Sequence, residues 1–524
     1  MAKRGASDAQ QRDVIAFLRD PASYGPDFDA VDVIETHASL VFLAGAYAYK
    51  LKRAVKYPYL DFSTPALRQA ACSAELRLNR RTAPQLYLEV RPIRRSPDGR
   101  LAWGRDPDAP PLDTVVVMRR FAQTDLLESV AAHGGLSPAL ALALTAHIAE
   151  FHAKAEPCPD RGGAAVTAAL IATNIGILRA AGGAGFAGAP IDRVEAGLQR
   201  EAARLGALLD QRRDAGKVRR VHGDLHLRNI CLVDGKPLLF DCIEFSDDIA
   251  TIDILYDLAF LLMDLGHRGH KDLANLVLNR YLDLSGEDEG IALLPLFLAL
   301  RAVIRAHVTA TMATRGWGGG DREAGFAEAR RYLDDAAAAL MPAPARLVAI
   351  GGLSGSGKSA LAVALAPDLG PPPGARVLRS DVLRKLRFGT DPETPLPPEA
   401  YTPEISAAVY RELAQRAAVA LKAGYAAVID AVALRPEERA MFAAVAADAR
   451  MPFTGLWLEA PAAAMTARIA ARSGDASDAS AAVLQQQLSC DPGPLGSVTD
   501  SWRRLDAAGT PAATLAAARR TLMH

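Results

Sequence analysis

The chain has 524 residues, half of them apolar and 23 % charged, enough for roughly two to four domains with cores of their own and too apolar for a disordered chain. Its 60 Lys and Arg balance 60 Asp and Glu, so no net field draws it to nucleic acid or acidic membrane, and only a local basic groove stays open to such partners. Cys72, Cys158, Cys231, Cys242 and Cys490 form no CxxC pair, which argues against a disulfide framework or a zinc site and fits reduced cytosolic thiols.

The N-terminus, Met-Ala-Lys-Arg-Gly-Ala-Ser-Asp, lacks the apolar core of a signal peptide. The longest apolar run, Ile252 to Leu265, is cut by Asp253, Asp257 and Asp264, so no membrane span is expected and the cytoplasm is the expected location. Residues 31–60 alternate in strand fashion, with Ser39–Leu43, a turn at Ala44-Gly45 and Tyr47–Lys52 reading as a hairpin. Ser63-Thr64-Pro65 opens a helix, a capping residue before a proline suited to the first turn. Strands are expected at Leu86–Ile93 and Thr114–Phe121, around a Pro/Gly/Asp loop at 96–111. From Leu126 to Leu340 helical periodicity dominates, broken at 181–189 and by a short hairpin carrying His222 to Glu244. A small β-lobe over about 30–121 followed by an α-lobe over about 122–342 is the layout of a kinase-like fold.

Met341-Pro-Ala-Pro-Ala345 reads as a linker, because prolines stop the preceding helix and stiffen the connection. Beyond it, strands at Leu347–Gly351, Arg376–Arg379, Ala426–Asp430 and Phe453–Glu459 alternate with helices, which predicts a parallel sheet covered on both faces. The reading is therefore two domains, 1–342 and 344–524, each soluble by itself.

Two segments carry phosphate chemistry. The first is His222-Gly-Asp-Leu-His-Leu-Arg-Asn229, followed by Asp241 in Leu-Leu-Phe-Asp-Cys. Phosphoryl transfer from Mg-ATP needs a carboxylate to orient the acceptor hydroxyl, oxygen ligands for the metal and a cation on the phosphates. Asp224 and Asn229 stand five residues apart, the spacing of base and metal-binding Asn in a kinase catalytic loop, and Asp241 lies on the next strand, where a metal-binding aspartate is required. The motif resembles the aminoglycoside phosphotransferase family rather than protein kinases, which read His-Arg-Asp there. Phe240-Asp-Cys-Ile-Glu-Phe245 and Tyr256-Asp-Leu-Ala259 fit the same family.

That resemblance implies a kinase-like α+β fold, Asp224 as catalytic base, and Asn229 and Asp241 as metal ligands. It implies a phosphate-binding lysine on the second strand of the hairpin, Lys50 or Lys52, which share a face because strand side chains alternate. Lys50 is preferred, with Glu75 on the next helix as its partner; the alternative is that both lysines are solvated. No GxGxxG covers the phosphates, only Gly45, and Cys242 stands in place of the glycine of Asp-Phe-Gly, which disfavours an aspartate flip. Asp253 and Asp257 read as structural caps for the catalytic loop. Family members phosphorylate small hydroxyl compounds, including choline-like molecules and sugars, and the α-lobe offers no acidic cluster for a polycationic drug.

The second segment, Gly352-Leu-Ser-Gly-Ser-Gly-Lys-Ser359, satisfies GxxxxGK[ST] after an apolar strand. Backbone N–H groups around Gly352, Gly355 and Gly357 and the following helix N-terminus cradle phosphates, Lys358 reaches the terminal ones and Ser359 binds magnesium. Arg379-Ser-Asp381-Val-Leu-Arg384 resembles the P-loop kinases related to polynucleotide kinase, gluconate kinase and zeta-toxin proteins. The resemblance implies Asp381 as acceptor-side base and Arg384 as a substrate-binding residue. Asp430, at a strand end, is a Walker-B-type or substrate-contacting carboxylate, or a plain turn residue. Arg468 and Arg472, four apart on an alanine-rich helix ahead of Gly474-Asp-Ala-Ser-Asp478, read as an arginine lid or as a solvated face. Arg376, Arg379, Arg384, Lys385 and Arg387 suit a phosphorylated or nucleotide-like acceptor, without the interleaved aromatics of a single-strand platform.

Glu35-Thr-His37, Leu60-Asp-Phe-Ser-Thr64, Glu75–Arg81, Leu378–Asp381 and Asp475–Asp478 extend the likeness to a bacterial two-domain group in which an aminoglycoside phosphotransferase-like region is fused to a P-loop kinase. The expected protein is a bifunctional small-molecule kinase using ATP and Mg2+ in each domain, with no membrane partner and an open oligomeric state. The alternatives are one kinase regulated by a nucleotide-binding P-loop domain, or a P-loop domain acting as a nucleic-acid 5′-hydroxyl kinase, which the zero net charge disfavours.

Overall fold

The structure, a computed structural model, describes residues 2–523 except 37, 58–59, 97, 105–110, 183–187, 316–320, 472–475, 494 and 496–500. It divides into two compact units: residues 1–191, 202–261 and 303–333 form the first, and 192–201, 262–302 and 334–524 the second.

The first unit contains a six-stranded antiparallel sheet in the order Asp32–Glu35, Ser39–Ala44, Tyr47–Lys52, Asp113–Arg119, Tyr87–Arg95, Leu101–Trp103. Alternation decides what each face does. Leu40, Phe42, Tyr49, Leu51, Val115 and Val117 pack with Val14 and Leu18 of the N-terminal helix Ala2–Arg19. Ala48, Val116 and Met118 point the other way, toward Cys72, Leu86, Tyr87, Cys231 and Leu238. Lys50 and Lys52 share that second face with Ala48. Gly45 turns the hairpin at a φ of 56°, and a Cβ there would come 2.8 Å from the Phe28 ring.

Thr64 accepts a hydrogen bond from Leu67 N at 3.3 Å and Pro65 takes the first turn of the helix Pro65–Asn79. That helix buries Arg68, Cys72, Glu75 and Asn79 along one stripe. Arg68 and Asp113, both buried, pair at 2.8 Å and fasten the helix to the sheet. Asp32–Glu35, at the edge, lies in the stretch 31–60 expected to alternate but was not delimited as a strand, and Leu101–Trp103 lies inside the presumed loop 96–111. Both are short edge strands, which give little periodic signal.

The segment His222–Asn229 runs from the strand Val218–Arg220, which pairs with the distant strand Thr251–Asp253, to the hairpin Ile230–Val233 with Lys236–Leu239. Asp257 accepts from His222 N at 3.2 Å and Gly223 N at 2.9 Å, capping the loop. Asp253 acts differently: it pairs with Arg212 at 2.7 Å and accepts from Leu255 N, so it caps its own helix.

In the second unit, strands Arg376–Arg379, Ala427–Asp430, Leu347–Gly352, Phe453–Glu459 and Trp502–Asp506 form, in that order, an all-parallel sheet. The fifth strand, Trp502–Asp506, is an addition to the sequence expectation. The P-loop leaves the central strand at its C-terminal end, where ligands bind in open α/β sheets.

The unit does not begin at the proline linker. The helix Lys271–Ser285 and the turn Asp288–Leu293 belong to it. Arg376, fully buried at the sheet edge, pairs with Asp283 and Asp288, each at 2.7 Å, and Arg416 reaches Asp288 at 3.0 Å. Asn279 Oδ1 accepts from Val377 N at 2.7 Å, so side chains of this helix cover the edge strand.

Two helical spans, Gly163–Ala181 and Asp288–Arg315, are long and apolar enough to cross a membrane by length and composition, against the expectation of no such run; 22 % of the first and 72 % of the second is buried. Alanine and isoleucine supply the apolar character of the first, and the second carries Arg301 and Arg305.

Removing the partners of a buried charge costs about 3–5 kcal/mol. The fragment 344–524, which lacks Asp283 and Asp288, is therefore expected to aggregate, while the full chain stays soluble. Soluble expression with a cooperative melt at the full-length temperature would count against this account.

Candidate functional site

At the first site charge compensation organises the geometry. Lys50 Nζ donates to Glu75 Oε1 at 2.8 Å and to Asp241 Oδ1. Lys52 Nζ lies 2.5 Å from Glu75 Oε2 and also pairs with Glu244. Both lysines are buried, so neither is the solvated surface residue of the alternative reading. Burial pushes the Glu75 carboxyl up, but the two ammonium groups overcome it and bring it down to about 2. Burial lowers Lys50, and Asp241 and Glu75 more than reverse that, holding it well above its ordinary value.

Asp241 occupies a left-handed backbone conformation, φ 60°, which costs about 1–2 kcal/mol in a residue with a side chain. Three contacts hold it there: its N–H donates to Tyr87 Oη at 3.0 Å, Cys242 N to Asn79 Oδ1 at 2.9 Å and Phe240 N to Asn229 O at 3.0 Å.

Asn229 Nδ2 donates to Asp224 Oδ2 at 2.8 Å and to Asp224 O at 2.9 Å. Its donor face is thus spent, and its Oδ1 is the acceptor left for a cation. Burial raises the Asp224 carboxyl, yet His226, 3.3 Å away, and His222 hold it below the usual carboxylate range. His222 is fully buried; its Nε2–H donates to Phe240 O at 2.9 Å, and burial lowers its pKa, favouring the neutral ring. Exposure is concentrated on two carboxylates, Asp224 at 38 % and Asp241 at 40 %, whereas Glu75 has none.

At the second site the P-loop glycines are sterically required. Gly352 has φ 137° and a Cβ there would lie 2.7 Å from Leu458 O; Gly355 has φ 81° and would meet Met465 O at 2.5 Å. Gly357 precedes the helix Lys358–Leu365, and Lys358 Nζ donates to Leu353 O at 2.9 Å. Ser356 Oγ is buried without a hydrogen-bond partner among the described residues, an orphan that an anion in the loop would satisfy.

A cavity of about 1490 Å3 is lined by the P-loop from Ser354 to Ser359 together with Asp381, Arg384, Asp430 and Arg468. Burial raises Asp381, and the Asp430 carboxylate raises it further. Asp430 itself is paired with Arg379 at 3.3 Å. Arg384 donates to Ala400 O at 2.7 Å and stacks over Tyr401 at 4.8 Å. Arg468, on the helix Ala462–Ala470, donates to Ser356 O at 3.3 Å and Ala507 O at 2.8 Å, so it is no solvated-face residue. Arg472 lies outside the described residues.

The phosphotransferase enzyme family model matches residues 51–293 and the model of an AAA domain matches 347–491. Over 490 residues the chain is 33 % identical to uncharacterized protein Rv2004c of Mycobacterium tuberculosis (strain ATCC 25618 / H37Rv), covering 91 % of this chain and 93 % of that one. The chain belongs to this two-domain family. It is an ATP-dependent kinase, a phosphotransferase domain of kinase-like fold followed by a P-loop domain with a parallel sheet. Uncharacterized protein Mb2027c of Mycobacterium bovis (strain ATCC BAA-935 / AF2122/97) matches with the same identity and coverage, 33 %, 91 % and 93 %. Among solved structures, a sugar kinase from Janibacter sp. HTCC2649 is 26 % identical, covering 34 % of this chain and 95 % of that one at a TM-score of 0.25. A choline/ethanolamine kinase family protein from Mesorhizobium loti is 15 % identical, covering 63 % and 99 % at a TM-score of 0.37.

Sequence reasoning gave no role to Glu244, Tyr87 and Asn79 at this kinase's first site or to Ser477 and Asp478 at its second, and it took Lys385 only as one of the basic residues suiting an anionic acceptor. Glu244 had a signal: two lysines on one strand face need more than one counter-charge if both are buried. Replacing Lys52 by Met leaves Glu244 unpaired and is expected to cost about 3–5 kcal/mol. The pair Lys52→Met with Glu244→Gln should recover part of that loss, measured by chemical denaturation. A double variant no more stable than the single one would refute the pairing. The depressed pKa of Glu75 gives stability that is present above its unfolded value and lost as pH falls toward about 2.

Proposed function

We propose that the chain is a bifunctional kinase with two sites, one around Lys50, Asp224 and Asp241 and one at the P-loop 352–359, each moving the γ-phosphoryl group of ATP to a hydroxyl of a small molecule. The observation that carries this reading is that each site has its own cation and its own partly solvated carboxylate, so neither needs the other to complete its chemistry. We propose a cytoplasmic location for it.

At the first site Lys50, held by Glu75, binds the nucleotide phosphates. Asn229 Oδ1 and Asp241 are hard oxygen donors and fit Mg2+, which is commonly held by one or two protein ligands plus substrate phosphates. When bound, the ion neutralises charge on the phosphate oxygens. Asp224, kept ionised, accepts the hydrogen bond of the acceptor hydroxyl and aims its oxygen at phosphorus. A carboxylate of such low basicity takes the proton late, once the new O–P bond has acidified it.

At the second site Lys358 and the P-loop N–H groups bind the phosphates, Ser359 is the candidate metal ligand, and Arg468 closes on the loop. Asp381 receives the acceptor proton, with Arg384 and Asp430 on the acceptor side. The raised Asp381 makes it a stronger base than Asp224. The basic residues around Arg384 favour an acceptor carrying a phosphate or another anionic group.

Asp224→Ala should abolish phosphotransfer at the first site with ATP affinity nearly intact, whereas Asp241→Ala should weaken ATP binding as well. Lys358→Ala should cost the second site orders of magnitude in rate and leave the first unchanged. A change of first-site turnover by a factor of about 5 to 150 would instead support a regulatory P-loop domain.

The sites should also differ in pH dependence. Both carboxylates act deprotonated, so a raised pKa loses activity at higher pH as the solution is acidified. ATP consumption by the Lys358→Ala protein, which reports the first site, should persist to lower pH than consumption by the Asp224→Ala protein. Acid limbs at the same pH would contradict the assigned roles.

A further inference from the structure

We propose that Asp478 is a positioning residue for the acceptor end of the P-loop site, latching the wall against which the acceptor rests; this deepens, and rests on, the reading of that site as a kinase. Asp478 gathers three donors from separate places. Lys385, with no exposed side chain, donates to it at 2.7 Å from the helix Ser380–Arg387, which also carries Asp381. Leu396 N donates at 3.0 Å, and Tyr401 Oη donates as well. Lys385 reaches Thr394 O in addition, so the Lys385–Asp478 pair touches the stretch 391–401 at Thr394, Leu396 and Tyr401.

That stretch has little structure of its own. Pro392, Pro395, Pro397 and Pro398 carry no N–H, and beyond the short turn Pro398–Tyr401 it forms no helix or strand. Its position therefore depends on outside contacts: those to Asp478 at Leu396 and Tyr401, with Lys385 on Thr394 O, Arg384 on Ala400 O at 2.7 Å and Arg280 on Glu393 at 3.2 Å. Three of its residues face the chemistry: Leu396, Pro398 and Tyr401 line the cavity that Asp381 and Arg384 also line. The Tyr401 ring supports the Arg384 guanidinium at 4.8 Å, and Arg384 Nε has no hydrogen-bond partner among the described residues. The neighbour of Asp478, Ser477, hydrogen-bonds the Asp381 carboxyl. Two adjacent residues thus set the base and the acceptor wall, while the P-loop glycines and Lys358 are held by other contacts.

The test uses the full chain carrying Asp224→Ala, so that ATP consumption reports the P-loop site, with Mg-ATP alone as probe and water as acceptor. In Asp478→Asn, amide exchange over 391–401 should rise about tenfold or more, confined to that stretch and its contacts. The KM for ATP should stay within about twofold while kcat falls about 10–100-fold, as expected of misplaced rather than absent groups. Tyr401→Phe, which keeps Lys385 paired, should show the same pattern more weakly and serves if Asp478→Asn fails to fold. Unchanged exchange over 391–401, or a rise in KM for ATP as large as the loss of kcat, overturns the proposal. If the Asp224→Ala protein consumes no ATP in a Lys358-dependent way, the kinase reading of the site fails. The exchange measurement then decides the latch alone, a local rise supporting it and no rise refuting it.

Discussion

An ionised carboxylate with no solvent exposure is tenable only between cations, and Glu75 sits between two. Lys50 and Lys52 in turn are too buried to remain charged on one glutamate, so each recruits another carboxylate, Asp241 and Glu244. A strand, a helix and the segment after the hairpin Ile230–Leu239 are joined by this exchange of charge as well as by apolar contact. Three carboxylates face two ammonium groups, leaving one negative charge in excess. The excess falls where Asp241 is 40 % exposed, the place where a divalent cation would be accepted at least cost.

The second unit uses the same physics for a different end. Arg376 is enclosed by Asp283, Asp288 and Asn279, but it lies at the start of the edge strand, away from the C-terminal ends where the P-loop and Asp430 stand. Its burial is structural. It draws a helix from before the linker into the fold of the P-loop unit, and it leaves the phosphate cradle to glycines whose Cβ positions are already filled by neighbouring backbone.

The two candidate bases are tuned in opposite directions. Asp224 has histidines beside it and an amide donor on its oxygen, all of which favour the charged form. Asp381 is partly buried next to another carboxylate, which favours the neutral form, and Ser477, Arg379 and Lys358 only partly offset it. One polypeptide thus holds two candidate bases of unequal basicity.

Much of this was legible in the sequence. Strand alternation put Lys50 and Lys52 on one face, Thr64-Pro65 marked a helix start, and the P-loop and catalytic-loop spacings named their residues, because these depend on neighbours within a turn or a strand. The edge strands Leu101–Trp103 and Trp502–Asp506 and the bounds of Asp32–Glu35 were not legible, since short edges carry too few alternations. Nor were the partners chosen across long separations: Glu244 for Lys52, Asp283 and Asp288 for Arg376, Asp478 for Lys385. By itself the sequence determined the two motifs from which phosphate transfer is proposed and the local geometry that presents them. Only the tertiary structure decided which charges are buried, who compensates each of them, and hence where the second unit begins, because the cost of burying a charge depends on groups the chain brings together from far apart.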